Sequence, residues 1–251
     1  MSRDMPKDPP KDPSGKPMWY GRRRTHKLRP GRQQLVDGLL PELLIADTAS
    51  AGPVVFEPGF GPPDRELRLE IGFGAGEHLS GEAAANPDID FIGCEPFING
   101  LAALLADVER LGLGNIRLFD DDVRLLLDRL PEASVSRIYI LFPDPWPKAR
   151  HNRRRIFQAE TLSALARIAR DDAILLFASD HMDYVAWALS EARRHPDWAW
   201  TAQGPEDWRR PPADWVPTRY ETKALAKGDK PAYLSLRRRL RPQTKAMNGS
   251  G

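Results

Sequence analysis

The residues best equipped for chemistry in this chain lie in PDPWPKARHNRRR (143–155). Asp144 stands between Pro143 and Pro145, and Pro147 follows Trp146. Each proline fixes φ and limits the entropy lost on ordering, so Asp144 is held in place. Lys148, Arg150, His151, Arg153, Arg154 and Arg155 come next. Cations at the start of a helix oppose its macrodipole and need another reason to be there. A polyanionic partner such as nucleic acid supplies one.

A second constellation lies upstream. LEIGFGAGEH (69–78) sets Gly72, Gly74 and Gly76 between an apolar run and a helix start. Glycines there permit a tight turn and let the backbone approach a ligand closely. Glu95 ends the next apolar run, where a carboxylate can accept hydrogen bonds from both ribose hydroxyls of an adenosine. The pair implies a nucleotide-like ligand. A dinucleotide would lay its pyrophosphate on the helix N-terminus. Glu70, just before the turn, would repel that group and suit the cationic amino-acid end of S-adenosylmethionine (SAM). This disfavours an NAD-dependent oxidoreductase.

These segments need a scaffold that gathers them. LRLEIGF (67–73), DFIGCE (90–95), NIRLF (115–119), SVSRIYILF (134–142) and AILLFAS (173–179) read as strands. Helical patterns fill 77–86, 98–111, 123–130, 154–170 and 182–194, with Leu101, Leu104, Leu105 and Val108 on one face of the second. Segments 198–202 and 232–237 can pair as a final antiparallel hairpin. The expected fold is α/β: a doubly wound, mainly parallel seven-stranded sheet with a C-terminal antiparallel hairpin, Rossmann-like. Such sheets bind ligands outside the carboxyl ends of their strands, where the glycine turn, Glu95 and Asp144 all fall.

The division expected is a basic arm over 1–34, one domain over 35–240 and a flexible tail over 241–251. The first 18 residues are proline-broken and poor in apolar side chains, so they are read as disordered. WYGRRRTHKLRPGRQQ follows as a candidate phosphate-gripping segment, with Arg22, Arg23, Arg24, Lys27 and Arg29 as cations and Trp19 or Tyr20 as a base-stacking ring. Residues 35–63 read as an irregular connection. A third cationic group is Arg237, Arg238 and Arg239.

The net charge of +2 says little, because the charge is unevenly spread. The single cysteine, Cys94, excludes an intrachain disulfide and fits a reducing compartment. No apolar run reaches membrane-helix length and no signal-peptide pattern opens the sequence, so a cytoplasmic protein without a membrane partner is expected. No His/Cys ligand cluster suggests a metal. A monomer is the default.

The ExGxGxG turn with its strand-end acid resembles the class I methyltransferases. That resemblance implies Glu70 near the methionine part or ribose of SAM, Glu95 on the ribose, and one of Asp120-Asp121-Asp122 near the adenine amino group. Asp122 is preferred, then Asp121. PDPWPKARHNRRR closely resembles the signature of the bacterial tRNA (guanine-N7-)-methyltransferases, with FIGCEPF, DDDV, FASDHMDY (177–184) and PTRYETK (217–223) extending the match over residues 67–237. The family more often has Phe where Tyr220 stands. The resemblance implies methyl transfer from SAM to N7 of the variable-loop guanine at tRNA position 46. It implies Asp144 as the catalytic or guanine-orienting carboxylate, also close to SAM. It further implies tRNA contacts from Lys148, Asp180, Thr218, Arg219, Tyr220 and Glu221, joining Arg150, Arg153, Arg154 and Arg155 of the basic patch. How Asp144, Asp180 and Glu221 divide the work stays open. The alternatives are a class I methyltransferase acting on another RNA or a small molecule, and a non-catalytic RNA-binding protein. A small-molecule enzyme would not need the basic segments. Glu70, Glu95 and Asp144 together argue against a non-catalytic protein.

Overall fold

The computed structural model describes residues 23, 26–45 and 52–242. Trp19, Tyr20, Arg22, Arg24 and the expected C-terminal tail beyond 242 lie outside the described residues.

The chain begins with α1 (Pro30–Leu43), then alternates β1 (Glu66–Ile71), α2 (Glu77–Ala85), β2 (Ile89–Cys94), α3 (Ile98–Leu111), β3 (Ile116–Phe119), α4 (Arg124–Leu127) and β4 (Val135–Leu141). A 3-10 turn (Ala149–Arg154) leads to α5 (Ala159–Ile168), β5 (Ala169–Ser179), α6 (Met182–Arg194), β6 (Trp198–Trp200), α7 (Glu206–Arg209), α8 (Arg219–Ala226) and β7 (Ala232–Arg238). The sheet has seven strands in the order β3-β2-β1-β4-β5-β7-β6. β1 to β5 run parallel, and β7 lies antiparallel between β5 and β6. This is the doubly wound sheet with an antiparallel end expected above. Its direction of winding reverses between β1 and β4, which puts the ligand crevice at their carboxyl ends.

Period-two alternation divides the core between the two faces. Ile138 and Ile140 of β4, with Leu175 and Phe177 of β5, join Leu162, Leu165, Tyr184 and Val185 on one face. Tyr139 and Leu141, with Leu176 and Ala178, face the other way toward Tyr233. Phe91, Ile116 and Leu118 meet Leu79 of α2 and the Leu101, Leu104, Leu105, Val108 stripe of α3. Gly112 ends α3 at φ 64°, a left-handed cap that glycine adopts without a Cβ penalty.

Three segments depart from the sequence expectation. Residues 35–63 do not begin as an irregular connection. They continue α1, which runs through the boundary drawn at 34/35 and buries Leu40 and Leu43 with α3. The helix expected over 154–170 is shorter. Arg155 to Gln158 interrupt it, and Ala169 already pairs with Val135 in the sheet. β6 and β7 pair as expected, but α7 and α8 are inserted between them. No described helix is long and apolar enough to cross a membrane.

Candidate active site

Four strand ends converge on one cavity of about 420 Å³, a size typical of small-ligand sites. Gly72 and Gly74 follow β1. Glu95 and Phe97 follow β2, Asp121 and Asp122 follow β3, and Phe142, Pro143, Asp144 and Trp146 follow β4. Tyr220 of α8 and Arg154 of the 3-10 turn complete the rim.

The glycine turn is built by close approach. Gly72, Gly74 and Gly76 all have positive φ, which side chains resist. A Cβ on Gly76 would strike Leu104 at 2.7 Å, so this residue packs the turn onto α3 rather than lining the cavity. Gly100, in the first turn of α3, is a requirement the sequence reading missed. A Cβ there would lie 2.0 Å from the Gly74 carbonyl oxygen. Only a glycine lets α3 back onto the turn so tightly.

Glu95 is fixed by two backbone donors, Gly74 N–H at 2.8 Å and Phe97 N–H at 2.9 Å. Its carboxyl is nonetheless pushed up to about 7, chiefly by burial, with Asp144 and Glu70 adding negative charge and the two N–H groups opposing the rise. Asp122 is also raised by burial, against the pull of Arg124 at 2.5 Å. Asp144 opens to solvent at the mouth, yet the protein around it displaces enough water to raise its carboxyl above the ordinary range. Asp121 instead meets Arg23 at 2.6 Å.

Glu70 does not line this cavity. It lies behind the turn, 3% exposed, with Oε2 at 2.7 Å from Nδ1 of His78. Burial pulls His78 down, but the charge and hydrogen bond of Glu70 outweigh it and its pKa is raised. His78, the last residue of the LEIGFGAGEH segment, is thus the partner of Glu70.

The β4 loop carries backbone strain. Phe142 and Trp146 have φ of 50° and 45°, and each precedes a proline. Non-glycine residues rarely occupy that region, and such outliers persist where the surroundings over-determine them. The guanidinium of Arg154 lies 4.9 Å from the centre of the Trp146 ring, forming a flat cationic and aromatic wall at the cavity rim.

The cations of the patch divide in two. Lys148, Arg150 and Arg153 are exposed on the 3-10 turn. Arg155 is not: it is 1% exposed, so the expectation that it meets a polyanion needs correction. Its Nε donates to the Pro145 carbonyl at 3.0 Å and its Nη2 to Asp183 at 2.6 Å, over the rings of Tyr184 and Trp187. Arg155 braces the proline loop from beneath. Arg238 is likewise buried, donating to the Ala166 carbonyl, while Arg237 and Arg239 stay exposed.

The segment Thr218 to Glu221 also divides. Thr218 caps α8, its Oγ1 accepting the Glu221 N–H at 3.0 Å. The buried Glu221 carboxylate accepts from Trp215 Nε1 at 2.6 Å and from the Tyr233 hydroxyl. These two residues hold the helix, so their first evident role is support rather than contact. Arg219 pairs with Glu77 at the start of α2. Tyr220 alone of the four lines the cavity, its ring against Gly74. Asp180 is exposed just beyond β5 and is not among the cavity-lining residues.

A family profile described as "Putative methyltransferase" matches residues 64–234. The tRNA (guanine-N(7)-)-methyltransferase of Rhodospirillum rubrum is 48% identical over 225 residues, covering 89% of this chain and 88% of that protein. The proteins of the same name from Chelativorans sp. and Azorhizobium caulinodans are 48% and 47% identical, over 86% and 89% of this chain and 93% and 96% of their own lengths. Among solved structures, the 16S rRNA methyltransferase KamB superposes with a TM-score of 0.50 at 16% identity, over 76% of this chain and 98% of that one. The antibiotic-resistance methyltransferase Kmr gives 0.50 at 17%, over 70% and 88%. These two support the fold alone.

Proposed function

The chain belongs to the tRNA (guanine-N7-)-methyltransferase family, and we propose on that footing that it carries a methyl group from SAM to N7 of a guanine in folded tRNA, the variable-loop position 46 being the expected target. The observation that carries the reading is the convergence of Asp144, Glu95 and the glycine turn on one cavity whose rim bears Trp146 and Arg154.

The residues present fit SAM. Gly72 leaves open space where a side chain would stand, and Gly74 would give a ligand room only as far as Tyr220. Glu95, Asp121, Asp122 and Asp144 line the cavity, so its chemistry is that of acceptors for hydroxyl and amino hydrogens and of partners for positive charge. When bound, SAM supplies an electrophilic methyl on a sulfonium. Glu95 would hold the ribose, with Asp122 or Asp121 toward the adenine. Glu70 would act from behind the turn as a source of negative charge for the amino-acid end, its orientation set by His78.

Guanine N7 carries an in-plane lone pair and needs no base to expose it. The protein's task is therefore alignment, which at best contributes roughly 7–11 kcal/mol. The proline-braced loop keeps Asp144 at the mouth, where its carboxylate can accept from the N1–H and amino group of the base and offset the charge arriving on the ring. Trp146 offers a stacking face for that base. Lys148, Arg150 and Arg153 would grip phosphates, and shape and backbone contacts would dominate recognition. The same reading puts the enzyme in the cytoplasm with its substrate.

The test is incubation of undermodified tRNA with labelled SAM, followed by nucleoside analysis. 7-Methylguanosine is the expected product. A different methylated nucleoside, or methylation of small molecules in place of tRNA, would overturn the reading.

A further inference from the structure

Arg23 lies far from the methyltransferase motifs in sequence, yet it pairs with Asp121, a residue that lines the cavity. Its Nη2 stands 2.6 Å from Oδ1 of Asp121, and the two side chains are only 12% and 8% exposed. The backbone is tied down as well. The Arg23 carbonyl accepts the Ile98 N–H at 2.9 Å, satisfying one of the donors that the first turn of α3 leaves without a helical partner. The His26 carbonyl accepts from Asn99 Nδ2 at 3.1 Å. Leu28 is buried, and α1 then continues along α3. Phe97, next to Ile98, gives its N–H to Glu95. One short stretch of backbone thus connects the stem of the basic segment with both carboxylates at the adenosine end of the cavity.

The charges make the same point. Glu95, Asp121, Asp122 and Asp144 crowd one cavity, and Arg124 already answers Asp122. Asp121 is answered by a residue from the arm, while its Oδ1 also accepts the Asp122 N–H at 2.8 Å. Arg22 and Arg24 flank Arg23 in sequence. The basic run therefore yields its middle arginine to the cofactor site.

We propose that Arg23 is a latch between the N-terminal arm and the SAM site, so that filling the adenosine end of the cavity docks the arm and prepares it for tRNA. This rests on the cavity being the SAM site. A ligand lying against Asp121 excludes water from the Arg23–Asp121 pair and strengthens it. Coupling between two binding events is reciprocal, so an undocked arm weakens SAM binding by the same factor that SAM favours docking. Arg23 is a positioning residue here, acting through Asp121.

The experiment uses the full chain with S-adenosylhomocysteine, which binds without reacting. Calorimetry gives its affinity for the wild type, Arg23→Gln, Arg23→Lys and Asp121→Asn. Limited trypsin digestion, read by mass spectrometry, gives the cleavage rate at Arg22–Arg24 with and without the ligand. The expected result is protection of the wild-type arm by about fivefold or more, the lower end of ordinary allosteric coupling. In Arg23→Gln that protection disappears and affinity falls by a similar factor, whereas Arg23→Lys recovers part of both. A general loss of structure would accelerate cleavage whether or not ligand is present, and would overturn the latch. So would equal wild-type cleavage rates at saturating ligand. Failure of the wild type to bind S-adenosylhomocysteine at all would instead sink the cofactor reading on which the latch depends.

Discussion

Arg155 separates a gripping role from a bracing one. Replace it with Met, which keeps an apolar stem of similar reach and removes the guanidinium. The Pro145 carbonyl then loses its donor in a partly buried setting, a cost of about 1–3 kcal/mol. The guanidinium also leaves the faces of Tyr184 and Trp187, losing about 1–2 kcal/mol more. The ion pair with Asp183 adds little, because that aspartate is 66% exposed. A loss of roughly 3 kcal/mol should lower Tm by about 6–12 °C in a chain of this size. Arg153→Gln is the contrasting variant, exposed on the same loop. Its Tm should match the wild type, while the dependence of log Kd for tRNA on log salt flattens by roughly 0.7–0.9 for one lost phosphate contact. Arg155→Met, assayed well below its Tm, should keep the wild-type slope. Thermal melts and filter binding from 50 to 300 mM salt, on the order of the range in which such slopes are read, check both. If Arg155→Met melts with the wild type and flattens the slope as Arg153→Gln does, the bracing argument is wrong.

Other substitutions probe the cavity. Glu95 has a folded pKa of about 7 against an ordinary 4.5, so folding takes up a proton between those values and stability declines as pH rises through that window. The ligand-free protein should melt higher at pH 6 than at pH 8, and Glu95→Gln should lack that part of the difference. SAM affinity should run the other way in calorimetry, weakening below pH ~7 by up to about tenfold per pH unit as Glu95, the proposed ribose acceptor, protonates, and Glu95→Gln should bind weakly at every pH. Gly100→Ala forces a methyl against the Gly74 carbonyl, so stability should fall by about 1–3 kcal/mol and SAM affinity by roughly tenfold or more, read by melting and calorimetry. Trp146→Ala should lower kcat/KM for tRNA by roughly 5–150-fold, the equivalent of a lost base stack of about 1–3 kcal/mol, with SAM affinity little changed and Trp146→Phe largely restoring activity. Equal losses toward SAM and tRNA would count against a stacking role.

Much of this site could be read from the sequence because parallel sheets place their chemistry at predictable points. Each apolar run ends in residues that line the cavity: Gly72 and Gly74 after β1, Glu95 after β2, Asp121 and Asp122 after β3, Asp144 after β4. The spacing of runs and breaks therefore carried the site along with the fold. What escaped depends on contacts between segments distant in the chain. α1 contains Gly31, Gly38 and Pro41, a poor helix on local grounds, and forms because Leu40 and Leu43 find α3. Arg155 looks like its neighbours in a charge run, and only the rings of α6 distinguish it. Gly100 gives no sign of its importance until the Gly74 carbonyl is seen beside it. Thr218 and Glu221 drew attention as a motif. Whether such residues touch a substrate or hold the helix that does cannot be inferred from residue type, and here their hydrogen bonds go inward.

The distribution of charge explains why a net of +2 was uninformative. On the proposed reading, a cavity that holds a cationic donor and then sees positive charge move to a base benefits from carboxylates, and this one is lined by Glu95, Asp121, Asp122 and Asp144, with Glu70 behind. The same carboxylates repel a polyanion approaching the mouth. Lys148, Arg150, Arg153 and Arg154 stand on the single loop that also bears Asp144, so the proposed phosphate contacts and the proposed reaction centre would move together. Arg155 holds that loop by its Pro145 carbonyl, and Arg154 lies against the strained Trp146. Salt screens exposed charges from one another beyond about 8 Å at physiological ionic strength, so cations on a remote face would do little to offset the acids at the mouth. On that reading one loop has to carry both signs of charge, and its three prolines and buried arginine keep the two at a fixed spacing.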